Sequence, residues 1–355
     1  MRPPTDELSV SRRTLLRGAV GATLTVAAAA LLPACGSAGK VEQGGGASPE
    51  GPPETATIRL GTRPISCYAA QALAAEFLEQ EGFTDVQYLN VGLKESFQKL
   101  AAGQIDLHLY PAPMASVRVD AGDPIVMLGG VQVGCFQIFG SPAITSMSDF
   151  KGKTIVTGGP DAPDHVFFGV TLANVGIDIR TDVTLVTKQP PEAAPLLARG
   201  EVDGLSALPP FSSELRARGV GHVVLDSMMD RPWSQVLCCM ATANRTFMDQ
   251  NPVATKRALR AMFKAADVVA DDPERGIRAM VQQGFTAEKD FAATFEDLRM
   301  MPYDVWRSYD PADTLRFYAL RLKEAGLIDA TPEQIISRGA DFRLLRELKQ
   351  ELREG

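Results

Sequence analysis

Laid over itself at an offset of 97 residues, the sequence matches without a gap from residues 86–128 onto 183–225. This internal repeat restricts the possible folds more than any other feature. Val86-Gln87-Tyr88-Leu89 falls on Val183-Thr184-Leu185-Val186, two strand-like runs of β-branched, aromatic and leucine residues. Helical stretches follow and end at Leu100-Ala101-Ala102-Gly103 and Leu197-Ala198-Arg199-Gly200, each with glycine where a helix terminates in a left-handed residue. Ile105-Asp106-Leu107 then lies over Val202-Asp203-Gly204, Pro113 over Pro210, Gly122 over Gly219, and Ile125-Val126-Met127-Leu128 over His222-Val223-Val224-Leu225. The lead-in also repeats. A strand at 57–60 feeds a helix with Leu73, Phe77 and Leu78 on one face, ending at Gly82, and a strand at 154–157 feeds a helix over 166–175, ending at Gly176.

Strands alternating with helices at this spacing predict parallel sheets covered on both faces. The expected fold class is therefore α/β, with two lobes, each a mainly parallel sheet flanked by helices. Two hinge strands join them: Cys135-Phe136-Gln137-Ile138-Phe139 leads out of the first lobe and Val236-Leu237-Cys238-Cys239-Met240-Ala241 returns. Lobes held by two connections can close on a ligand. The expected boundaries are a signal peptide at 1–34, a flexible tether at 35–54, the first part of lobe 1 at 55–134 and lobe 2 with the hinge strands at 135–238. Residues 239–355 return to lobe 1 and add C-terminal helices. Asn251-Pro252 and Asp310-Pro311 supply caps and first-turn prolines for two of these helices. The stripe Leu259, Met262, Phe263 and Ala266 reads as core rather than a cofactor site, and the helices are expected to brace lobe 1.

The first residues read as an address. Ser11-Arg12-Arg13-Thr14-Leu15-Leu16-Arg17 precedes an apolar stretch at 18–32, which is too short to span a bilayer comfortably and matches a signal-peptide core. The motif resembles a twin-arginine export signal, and Leu32-Pro33-Ala34-Cys35 resembles a bacterial lipobox. That resemblance implies lipidation of Cys35 and anchoring on the periplasmic side or outer face of a membrane. Gly44-Gly45-Gly46 and Pro52-Pro53 give residues 36–54 the composition of a tether.

Charge narrows the partners. The full chain carries a formal net charge of -7, and since residues 1–34 contribute four arginines against Asp6 and Glu7, the remainder stands at -9. An acidic body lacks the positive footprint of nucleic-acid binding. With five Cys, three His and no CxxC or HxxxH spacing, no metal site or cofactor is expected. Asp164-His165 has no nucleophile in a motif such as GxSxG, so no catalytic residue is assigned.

Four segments carry a resemblance: Gly103-Gln104-Ile105-Asp106, Asp120-Ala121-Gly122-Asp123-Pro124-Ile125-Val126, Asp149-Phe150-Lys151-Gly152-Lys153-Thr154-Ile155, and Asn244-Arg245-Thr246-Phe247 before Asn251-Pro252. With them the chain resembles, over about residues 55–350, the type II periplasmic substrate-binding proteins of ABC importers, and within them the nitrate/sulfonate/taurine group, which shares its fold with a pyrimidine synthase. It implies a non-catalytic monomer that captures a small solute between its lobes and delivers it to a membrane permease driven by an ATPase. A pyrimidine-synthase-like enzyme on the same fold, or the ligand-sensing partner of a membrane receptor, is the alternative.

Open α/β sheets bind ligands beyond the carboxyl ends of their strands. The candidate ligand-binding residues are therefore Arg63, Ser66, His108, Tyr110 and Gln132 from lobe 1 and the hinge approach, and Asp161, His165, Ser206, Trp233 and Gln235 from lobe 2 and the return. Arg63 or His165 is a candidate partner for an anion, and Tyr68, Tyr110 or Trp233 for stacking on a ring. Bland readings compete with these: Trp233 also fits core packing, and His108 and His222 sit in apolar runs as core histidines. Cys238 and Cys239 point to opposite faces of a strand and are poorly placed to bridge each other. Cys135 can approach either of them, and a disulfide there would restrain closure.

Overall fold

The computed structural model describes residues 50–352. The twin-arginine segment, Cys35 and the tether up to residue 49 lie outside the described residues. The chain first builds β1 (Thr57–Thr62), α1 (Ala69–Gln80), β2 (Asp85–Asn90), α2 (Leu93–Ala101), β3 (Leu107–Pro111), α3 (Ala112–Asp120) and β4 (Ile125–Val133). After β5 (Gln137–Gly140) the same pattern recurs as β6 (Thr154–Thr157), α4 (Pro163–Ala173), β7 (Thr184–Thr187), α5 (Pro190–Ala198), β8 (Gly204–Ala207), α6 (Phe211–Arg218) and β9 (His222–Asp226). Next come β10 (Leu237–Asn244), α7 (Arg245–Gln250), α8 (Pro252–Asp271), α9 (Pro273–Gln282), α10 (Phe291–Leu298), α11 (Pro311–Glu324), α12 (Pro332–Gly339) and α13 (Arg343–Glu351).

The sequence repeat becomes a repeat of topology. One sheet has the order β2-β1-β3-β10-β4 and the other β7-β6-β8-β5-β9. In each, four strands run one way and one is inserted against them: β10 is antiparallel to β3 and β4, and β5 to β8 and β9. Gly103 after α2 and Gly200 after α5 take φ of 68° and 70°, so the paired helices stop by the same left-handed device.

The expected hinge strands are corrected in position. Gln137–Gly140 and Leu237–Asn244 are interior members of the two sheets, each bonded on both sides. The crossings between sheets are residues 134–136 and 227–236. At the first crossing Gly134 has φ 67°, and a Cβ there would lie 2.6 Å from the Met228 backbone, so any larger residue would force the two crossings apart.

The C-terminal helices brace lobe 1, as α8 packs on α1, and α12 and α13 pack on β4. Helix α11 does more than expected, because it lies against both α3 of lobe 1 and α4 of lobe 2. Residues 50–54, expected to belong to the tether, are docked on the body. Glu54 accepts hydrogen bonds from the first-turn amides of α8, Val253 N at 3.0 Å and Ala254 N at 2.8 Å. Glu50 pairs with Lys256 and with Arg260, the latter at 2.9 Å. Among the described residues no helix is long and apolar enough to cross a membrane.

Candidate functional site

A cleft of about 700 Å³ opens where the carboxyl ends of the parallel strands of both sheets face each other. Lobe 1 contributes the loop after β1 (Arg63, Pro64, Ile65) and the start of α2 (Gly92, Glu95). Lobe 2 contributes the loop from Gly158 to Asp164, Gln189 before α5, and Ser206 to Phe211, while Phe136 comes from the first crossing. Helices α2, α4 and α6 begin here behind Gly92, Ala162 and Pro210, none of which donates a capping side chain. Three positive helix ends thus face the cavity, a setting that favours negative charge.

The walls bear unmatched polar atoms from both sides. Arg63 Nη1 in lobe 1 and Ser206 Oγ in lobe 2 are buried and have no hydrogen-bond partner, as is Thr62 Oγ1 beside Arg63. A buried donor left unsatisfied costs about 1–3 kcal/mol, more for a charged group, so these atoms are places where a ligand gains. The carboxylates Glu95, Asp161 and Asp164 also line the cleft. Asp164 accepts a hydrogen bond from Gly158 N at 2.7 Å, yet burial prevails and raises its pKa. Large apolar surfaces come from Phe136, Leu208 and Phe211.

Of the ten candidates named from sequence, Arg63, Asp161 and Ser206 line the cleft. The others are placed elsewhere. Ser66 is buried and donates to Asp297 Oδ2 at 2.9 Å. His108 is buried behind the loop, with Nδ1 2.9 Å from Gln71 Oε1, and burial together with the nearby Arg63 charge pulls its pKa down to about 3. Tyr110 is buried and stacks on Phe97 at 3.9 Å, with its hydroxyl pKa raised by burial. Gln132 is buried, with Nε2 3.4 Å from Cys135 Sγ. His165 is buried against Thr157, Nδ1 to Oγ1 at 3.3 Å, and burial lowers its pKa. Trp233 is core, packed among Phe167, Phe317 and Tyr318. Gln235 is exposed and lies outside the cleft wall. His222, read as a core histidine, is exposed on β9.

The residues missed had a signal. Gly92 and Gln189 stand 97 positions apart, as do Arg63 and Pro160, Pro64 and Asp161, and Ile65 and Ala162, and all of them line the cleft. Carrying the repeat offset from the β1 loop to the β2 loop would have found Gly92 and Gln189. Phe136 stands 97 positions before Trp233, itself a candidate, and here the two differ: Phe136 lines the cleft and Trp233 packs in the core.

Asp297 on α10 joins the lobes beside this cleft. Its carboxylate accepts from Ser66 of lobe 1 and from Ser213 on α6 of lobe 2, with Arg216 of α6 3.6 Å away. Burial raises its pKa despite these partners. Cys67, Cys135, Cys238 and Cys239 are free thiols, so the disulfide considered for Cys135 is not formed, although its sulfur lies 3.6 Å from that of Cys239.

The sequence matches the NMT1-like family over residues 51–282. Comparison with curated protein sequences returns no match. Among solved structures, the periplasmic nitrate-binding protein NrtA from Synechocystis PCC 6803 superposes with a TM-score of 0.69 at 17% identity, covering 86% of this chain and 91% of that one. The ligand-binding component of an ABC-type import system from Staphylococcus aureus, with zinc bound, gives 0.66 at 13%, covering 82% and 98%. The alkanesulfonate-binding protein SsuA from Xanthomonas axonopodis pv. citri, bound to MOPS, gives 0.62 at 18%, covering 78% and 96%. The fold is thus the periplasmic binding protein type II fold, two mixed five-stranded sheets flanked by helices.

Proposed function

The chain belongs to the NMT1-like family, and from that premise we propose that it is the solute-binding component of an ABC importer, without catalytic activity of its own. The observation that carries this reading is the pair of buried, unpartnered polar groups, Arg63 Nη1 and Ser206 Oγ, one from each lobe in the wall of a single cleft. A solute meeting both would hold the lobes together, which is what capture by closure requires.

The ligand proposed is a small organic solute with one oxyanion group, sulfonate-like in character. Arg63 and the three helix ends take the anion. Phe136, Leu208 and Phe211 take the apolar part. The carboxylates Glu95, Asp161 and Asp164 repel a polyanion and favour a monoanion or a zwitterion whose amine they can meet. At about 700 Å³ the open cleft also far exceeds what a bare inorganic oxyanion fills. Export through the twin-arginine segment and anchoring at Cys35 belong to the same proposal and are checked by asking whether Cys35→Ala moves the protein from the membrane to the soluble fraction.

The test is thermal unfolding against a panel of alkyl and aryl sulfonates, taurine, nitrate and pyrimidines. At 100 times Kd a true ligand stabilises the protein by about 2.7 kcal/mol. Arg63→Ala should weaken the best ligand at least tenfold. Unchanged affinity in that variant would sink the anion contact, and turnover of any panel member by the purified protein would sink the non-enzymatic reading.

A further inference from the structure

Away from the cleft wall, the sulfurs of Cys67, Cys135 and Cys239 converge within 4.8 Å of one another. Cys135 and Cys239 are 3.6 Å apart, and Cys239 and Cys67 4.0 Å. All three residues are at most 3% exposed. They come from separate parts of the fold: the short helical turn Ser66–Tyr68 after the β1 loop, the first crossing, and β10. Because no two of them are close in sequence, the absence of a CxxC motif did not reveal them.

We propose that these three cysteines form a trigonal binding site for a soft monovalent metal ion, Cu(I). Thiolates select soft ions. Three sulfurs bonded to one metal at about 2.3 Å stand about 4 Å apart around it, close to the spacing already present. Zinc calls for four ligands, and among the described residues no further His, Cys, Asp or Glu joins this group. A three-coordinate d¹⁰ ion fits the set that is there.

A narrow cavity of about 10 Å³, lined by Cys135 together with Met228 and the exposed Met300, adjoins the cluster. Binding is ligand exchange without electron transfer: sulfur–copper bonds form, the thiol protons leave to solvent, and copper stays monovalent.

The experiment uses the full chain, reduced and kept anaerobic, titrated with Cu(I) against bicinchoninate. The chain should withhold one Cu(I) from the chelator, and Cys239→Ser and Cys67→Ser should each weaken retention at least tenfold. Cys238→Ser and Cys35→Ser should leave it unchanged. Melting curves on every variant separate loss of the site from loss of the fold, and two independent ligand variants guard against one failing to fold. Failure to withhold copper, equal retention by Cys239→Ser and Cys67→Ser, or peptide mass spectra showing a Cys135–Cys239 disulfide in the isolated protein would each overturn the proposal. Since no solute enters this test, it stands or falls apart from the transport reading.

Discussion

The two lobes share one topology and differ in how well they are covered. In lobe 1, β3 and β4 are buried at every residue. In lobe 2, β7 is mostly exposed and β9 buries one of its five residues. The contrast is sharpest between β4 and β9, which are counterpart edge strands in the two sheet orders. Helices α12 and α13 lie on β4. Among the described residues no C-terminal helix packs on β9 as α12 and α13 pack on β4, and the core of the outer part of lobe 2 is a separate small cluster around Phe139, Val156, Leu205 and Leu215. The connectivity is thus the same in both lobes, while the C-terminal helices cover lobe 1 more fully and reach lobe 2 chiefly through α11 on α4. Lobe 2 is therefore expected to open first, as less covered regions do.

Mutations can break or sharpen this difference. The largest effect should come from Phe263→Ala on α8, whose fully buried ring stacks on Trp306 at 4.3 Å under lobe 1. About 3–5 kcal/mol of stability should be lost in urea unfolding, with the whole chain affected. Leu205→Ala in lobe 2 should lose about 2–3 kcal/mol, toward the low end for a buried leucine because the small cluster can collapse. Hydrogen exchange should then show protection lost over β6–β9 and kept over β1–β4. Equal loss in both lobes would end the claim that they differ.

A smaller effect is expected where the lobes are joined. Burial raises the Asp297 carboxyl, so its protonated form is the one that folding favours. Its contribution is full below the ordinary aspartate value of about 3.9 and is lost as pH rises through the raised one. Asp297→Asn removes this titration, so the variant should gain stability relative to the parent as pH rises above about 4. A difference that stays flat with pH would show that the carboxyl is not perturbed. The smallest effect is that of Glu54→Ala, which uncaps α8 on the back of lobe 1 and should lower stability by about 1 kcal/mol in the same urea assay.

The architecture was legible because repeats, glycine stops and first-turn prolines are local signals. The pairing of Gly103 with Gly200 marked both helix ends, and Asn251-Pro252 marked the start of α8. Burial was less legible because it depends on what arrives from elsewhere in the chain. His222 sits in a run as apolar as that of Ile125, yet it is exposed because its edge strand lacks the helices that cover β4. His108, Tyr110 and Gln132 lie on β3 and β4, whose carboxyl ends are where ligand contacts are expected, but Gln71 of α1, Phe97 of α2 and Cys135 pack against them and all three are buried. Arg63 was legible as a cation at a strand end. That its Nη1 lacks a partner is a matter of three-dimensional surroundings and could be seen only in the fold.

The clamp of Glu50 and Glu54 on α8 decides which lobe is grounded. A pull on the chain ahead of residue 50 is delivered to the thick lobe through ion pairs and a helix start, and reaches the thin one only across the two crossings and through contacts such as those of α11 and Asp297. If the N-terminus is held at a surface, lobe 1 is the stator and lobe 2 the arm that swings.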